Sequence, residues 1–218
     1  MDKLTEIFQR QAAYVVSLRP TYLHNGFTQH SQDMPWDLNG RHSQEEFRLL
    51  AWRTTEEIVE AMQIWEGNHD AFRTERFQEE VADALHFFIE LCLATDVRED
   101  TLLMGIDGAV FMQDRDRLEE FFYIVSREAL RIHLHESDPW YEFIRALAHA
   151  IMHFRQRPWR TDFRETDRRA WVMGLHLAFR SFVEACIQSD VTAEALHSAY
   201  FKKAKVNIQR IEDYGIVT

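Results

Sequence analysis

Residues 43–66 read SQEEFRLLAWRTTEEIVEAMQIWE, and Gly67-Asn68 follows. Set at 100° intervals, Leu50, Ala61 and Ile64 fall on one stripe, so the segment predicts an amphipathic helix. Ser43 with Glu46 three residues on has the form of a capping box, and Gly67-Asn68 suits a helix end. Glu57 interrupts the pattern. It falls inside the apolar stripe, where packing favours a hydrocarbon.

Working outward, the same periodicity and end signals predict helices over about 3–18, stopping at Arg19-Pro20, and over about 74–95 and 114–135. Another begins at Asp138-Pro139 and fails before Pro158, one spans about 166–188, and a last one is capped by Thr192 and reaches about Asp213. No stretch alternates like a strand. With only 7 Gly and 4 Pro in 218 residues the chain has few tight turns, so the expected fold is all-α in one domain, 1–218. The polar stretch 19–43, which contains Trp36, is long enough to be a lid or binding loop.

A formal charge of −11 and 46% hydrophobic residues exclude a disordered tail and a generic polyanion binder, nucleic acid included. Cys92 and Cys186 sit inside apolar runs and read as reduced core thiols. The N-terminal MDKLTEIFQRQ has no signal-peptide pattern, and the apolar runs look too short to cross a membrane. A soluble cytoplasmic protein without membrane contact is expected.

One echo runs through the chain. Residues 89–97, IELCLATDV, align without gaps on 183–191, VEACIQSDV, sharing Glu, Cys, Asp and Val, and Leu102 and Leu196 continue the register. Two readings stay open: two degenerate helical repeats, 43–104 catalytic and 114–200 degenerate, or two unrelated buried helix ends. Under the first, Glu80 and Asp83 fall opposite Gly174 and Leu177.

The helix over 74–95 repeats the anomaly of the first, because Glu80 lies between Ala84, Phe87 and Leu91 and Asp83 borders that stripe. Glu60 borders the stripe of its own helix. An unpaired buried carboxylate costs several kcal/mol unless it finds a cation or a proton. Glu57 with Glu60 and Glu80 with Asp83, on adjacent antiparallel helices, would bring four carboxylates together. Such a set of hard oxygen ligands suits Mg²⁺, with Mn²⁺ as the alternative, and a phosphate substrate. Acid pairs at this spacing also arise on solvated faces; their place within apolar stripes is what separates these. In the last helix Tyr200, Lys203, Asn207, Arg210 and Tyr214 fall within about 80° of arc. That cationic face could receive a triphosphate, or be a solvated end favoured by the helix dipole. His149 and His153 have the spacing of zinc ligands without the Glu of an HExxH motif, and His86 reads as a packed core histidine.

The same residues carry a resemblance. Glu56-Glu57-Ile58-Val59-Glu60 and then Glu80-Val81-Ala82-Asp83 resemble the EExxE…ExxD signature of the all-α NTP pyrophosphatases, which include MazG-like enzymes and dimeric dUTPases. Residues 79–88, EEVADALHFF, are similar to the ExxD-x-x-HFF helix of dimeric dUTPases and phage dCTP/dUTP pyrophosphatases. Tyr200-x-x-Lys203-x-x-x-Asn207-x-x-Arg210 resembles the C-terminal dUTPase motif.

The resemblance implies a MazG/dimeric-dUTPase-like helical bundle, homodimeric, that hydrolyses a deoxynucleoside triphosphate to monophosphate and pyrophosphate with Mg²⁺. dUTP is favoured and dCTP comes next. It further implies Glu57, Glu60, Glu80 and Asp83 as metal ligands, Glu57 and Glu56 as the acids nearest the chemistry, and Lys203 and Arg210 on phosphates. Asn207 would orient the nucleotide, Gln9 would read the base and Trp65 would stack on it. Two positions depart from the family: Ala13 stands where an Asn is expected, and the closing Gly-Tyr is here Tyr214-Gly215. The alternatives are a non-catalytic helical binding or regulatory module on this scaffold, or a pyrophosphatase for another nucleotide. Retention of all four acids speaks for catalysis.

Overall fold

Each helix start that has a side-chain cap follows from the local sequence. Thr74 Oγ1 accepts from Phe77 N, Asp138 from Trp140 N with Pro139 in the first turn, and Asp167 from Ala170 N, each satisfying a donor that the helix itself leaves unpaired. A computed structural model describes residues 2–24, 33–67, 74–103, 116–131, 138–154 and 165–214. Among these it shows eight helices and no strand: α1 (Lys3–His24), α2 (Arg41–Gly67), α3 (Glu75–Ala94), α4 (Glu99–Leu103), α5 (Arg117–Arg131), α6 (Pro139–Ile151), α7 (Arg168–Gln188) and α8 (Ala193–Tyr214). The all-α expectation holds.

Two boundaries and one short helix differ from the sequence reading. Helix α1 runs through Pro20 to His24, since a proline removes one backbone donor without having to end a helix. Helix α2 opens two residues before Ser43, with the Gly40 carbonyl accepting from Gln44 N. The five-residue α4 was not anticipated, being too short to show a period. Of the stretch expected to form a lid, residues 25–32 lie outside the described ones, while Trp36 is buried and stacked on Phe47.

The core forms where the two most closely packed pairs, α2 with α3 and α6 with α7, meet α1, α5 and α8. Phe88, Phe143, Phe179 and Phe182 contact one another across α3, α6 and α7. Helix α7 is long and apolar enough to cross a membrane, contrary to the expectation from its sequence, with mean hydropathy 1.3 over its most apolar window. More than half of that window, 56%, is buried inside the protein, as in a core helix. Cys92 and Cys186 are both free and buried.

Candidate active site between α1, α2, α3 and α8

Antiparallel packing of α2 on α3 brings the misfit acids together. Carboxylate oxygens of Glu57, Glu60 and Glu80 all lie within 4.8 Å of one another. Three like charges this close disfavour ionisation. Glu57, half-buried, is pushed up to about 7, first by burial and then by the neighbouring Asp83, Glu60 and Glu80 carboxylates. Glu80 is raised for the same reasons, and its basic neighbour, the largely exposed Arg76, stands off at 3.9 Å.

The trio fits a small hard cation. Oxygens bound at about 2.1 Å to one ion lie at most about 4.2 Å apart, so the side chains need move by less than an ångström or so. Asp83 is placed differently from the expectation. Its carboxylate is ion-paired with Lys203 of α8, both side chains largely buried, so it stands outside the close trio. Burial raises Asp83 even so, against the lowering effect of Lys203. The sequence pattern on α2 and α3 offered no basic partner because Lys203 comes from more than a hundred residues away.

Two cavities adjoin at this point, sharing Trp52, Glu56 and Glu57 on their walls. The wider one, about 840 Å³, runs along the outer face of α2 past Glu60 and Ile64 to Arg76. The deeper one, about 430 Å³, takes Glu57 and Asp83 from α2 and α3, Lys203, Asn207 and Arg210 from α8, and Gln11 and Tyr14 from α1. Acids and the cationic stripe of α8 thus face a common space. Helical spacing gathers Lys203, Asn207 and Arg210 on one face, and α8 packing on α3 aims that face at the acids.

At the inner end, three helices meet in a buried hydrogen-bond junction. Gln11 Oε1 accepts from Tyr200 OH at 2.7 Å and lies 2.7 Å from His86 Nδ1, while Gln11 Nε2 donates to Glu90 Oε2 at 3.2 Å. His86 stacks on Tyr200 with ring centroids 4.0 Å apart. Burial holds the imidazole down at about 3, so it is neutral.

Several residues sit elsewhere than the sequence suggested. Gln9 is solvent-exposed and lines neither cavity; Gln11, two positions on and turned about 200° around α1, is the buried glutamine of the site. Trp65 packs against the core, whereas Trp52, 61% exposed, flanks both cavities. Glu56 is exposed on the rim of both. Sequence reasoning passed over Gln11, Tyr14, Trp52 and Glu90. The available signal was Glu90, an acid seven residues beyond Asp83 in an otherwise apolar run. His149 and His153 meet ring edge to face, without a third ligand among the described residues.

No curated protein and no solved structure matches the chain. The family model described as dUTPase matches residues 34–214, a span that includes all four acids and the α8 stripe. The chain therefore belongs to the all-α dimeric dUTPase family.

Proposed function

We propose that the protein is a Mg²⁺-dependent pyrophosphohydrolase that cleaves a pyrimidine deoxynucleoside triphosphate, dUTP or dCTP, into the monophosphate and pyrophosphate. One observation carries the reading: three carboxylates converge beside a cavity whose α8 wall is cationic. Glu57, Glu60 and Glu80 would hold the ion, Mg²⁺ or Mn²⁺, and Asp83 would join them where its pairing with Lys203 yields. A hard divalent ion in that set supplies charge neutralisation of the phosphates and a more acidic water.

The chain's own groups do the rest. Lys203 and Arg210 set fixed positive charge where the departing pyrophosphate gains negative charge. Asn207, on the same helix face, holds the sugar or the α-phosphate by hydrogen bonds. Water attacks the α-phosphorus, the bond to the bridging oxygen breaks, and the Glu56 carboxylate at the rim takes the proton that water loses, with Glu57 beside it orienting the attack. Trp52 offers a flat apolar face on which a base can stack. Family membership supports a homodimer, and the protein would act in the cytoplasm.

The test is pyrophosphate release from dUTP, dCTP, dATP, dGTP and dTTP with Mg²⁺. At least one is expected to be cleaved, and Glu80→Gln is expected to abolish it. No release from any of them would overturn the reading. Light scattering in solution checks the dimer.

A further inference from the structure

One cation on the wall of the deeper cavity is left unpaired among the described residues. Arg53 of α2 is half-buried and lines that cavity together with Glu57, Asp83 and Lys203. Two acids stand at the spacing from which a helical arginine usually takes a partner, Glu56 three residues on and Glu57 four, yet Arg53 is paired with neither. Its guanidinium lies instead over the ring of Phe87 on α3, with Cζ 5.5 Å from the centroid. That contact steadies the planar group and leaves its N–H donors unspent. Lys203, by contrast, is committed to Asp83. A half-buried cation that gives up hydration without a counter-charge is costly unless a ligand completes it.

The seam between α2 and α3 fixes what that ligand presents. Arg53 precedes Glu57 by one turn and Phe87 follows Asp83 by one turn, about 6 Å along each axis at 1.5 Å per residue. Because the two helices are antiparallel, Arg53 and Phe87 form the next level of the seam, one step from the acids toward the junction of Gln11 and His86. The deeper cavity runs from the acids to that junction. A nucleotide with its phosphates at the acids and its base toward the junction passes this level with the group that joins them, the α-phosphate and its sugar ester. Only the phosphate is anionic there, and a planar guanidinium matches two of its oxygens at once. Lys203 and Arg210 serve the departing pyrophosphate, so the half of the substrate that stays behind would otherwise have no cation of its own.

We propose that Arg53, steadied on Phe87, binds the α-phosphate of the nucleotide bidentately and so holds the half that leaves as the monophosphate. This rests on the pyrophosphohydrolase reading and adds a substrate-binding residue to its site.

The experiment measures binding of dUMP, dCMP and their nucleosides, deoxyuridine and deoxycytidine, by calorimetry with Mg²⁺ in the native chain, Arg53→Gln and Arg53→Lys. For the base that binds better, Arg53→Gln is expected to weaken the monophosphate about tenfold or more, as loss of charge-assisted hydrogen bonds does, and to leave the nucleoside within about twofold. Arg53→Lys keeps the charge without the planar fork and is expected to bind the monophosphate about threefold or more weakly than the native chain. It also serves as the test should Arg53→Gln fail to fold, which thermal unfolding reads. Monophosphate affinity unchanged in Arg53→Gln, native affinity in Arg53→Lys, or no measurable monophosphate binding by the native chain would overturn the proposal. A loss that the nucleoside shares would place Arg53 on sugar or base and overturn it too. Each of these leaves the pyrophosphohydrolase reading standing if a triphosphate is cleaved. Monophosphate binding that depends on Arg53 in a chain that cleaves no triphosphate would sink that reading and keep the contact.

Discussion

The pair α2/α3 and the pair α6/α7 end in the same way and differ in the middle. After α3, Asp96 takes a left-handed φ of 58° and Val97 N donates back to Cys92 O at 2.8 Å; after α7, Asp190 takes 53° and Val191 N donates to Cys186 O at 2.8 Å. Both are Schellman ends, closed by burying Val97 and Val191 near the buried cysteines. Leu102 and Leu196 then anchor the next helix in both places.

Between those ends the chemistry parts. Glu80 of α3 faces Glu57 and Glu60, while its counterpart Gly174 of α7 lies so close to α6 that an added Cβ would stand 2.6 Å from Ala150 Cβ. Asp83 is tied to Lys203, while its counterpart Leu177 is 49% exposed. One pair sets charged groups at its seam; the other brings small residues together there. A helix end is a local device that tolerates many partners, whereas a helix face is set by what it must touch.

The sharpest way to break this contrast is to remove a charge from the first pair. Glu57→Gln is expected to lower kcat with Mg²⁺ by more than the about 100-fold typical of losing a group behind a metal ligand. Leu177→Gln in the second pair should leave pyrophosphate release within a factor of two or so, because exposed substitutions are mostly neutral. The converse change comes next. Gly174→Val should cost about 1–3 kcal/mol by overpacking against Ala150. Thermal unfolding would show this as a fall of about 2–4 °C per kcal/mol, with metal affinity retained.

A pH series sharpens the comparison further. Glu57 titrates at about 7 when folded, above its ordinary 4.5, so the folded chain holds this proton more tightly than the unfolded one. Its contribution to metal-free stability is fully present below about pH 4.5 and is lost as pH rises through about 7. Mg²⁺ competes with the same proton, so affinity measured by calorimetry should rise through that range, and Glu57→Gln should flatten the slope. The smallest effect concerns the shared ends. Asp190→Gly and Asp96→Gly both relieve a left-handed non-glycine residue and should stabilise by at most about 1 kcal/mol. The gain should be smaller at Asp96, which also pairs with Arg168 at 3.0 Å. Denaturant unfolding would measure both; destabilisation at either would break the equivalence of the two ends.

Much of this was legible in the chain because it depends on short-range order. Periodicity located the long helices, Asp138-Pro139 and Thr192 marked the starts of two of them, and the acids stood out as charge within apolar stripes. The echo at 89–97 and 183–191 encodes its own hydrogen bonds, since Asp tolerates the left-handed turn. Only tertiary packing decided that Lys203 takes Asp83, that Gln11 rather than Gln9 enters the site, and that Trp52 rather than Trp65 flanks the cavity. Those choices depend on the rotation of α1, α2 and α8 about their own axes. Which face of each helix turns to the cavity is set by the side chains of other helices, and no single helix's sequence contains that angle.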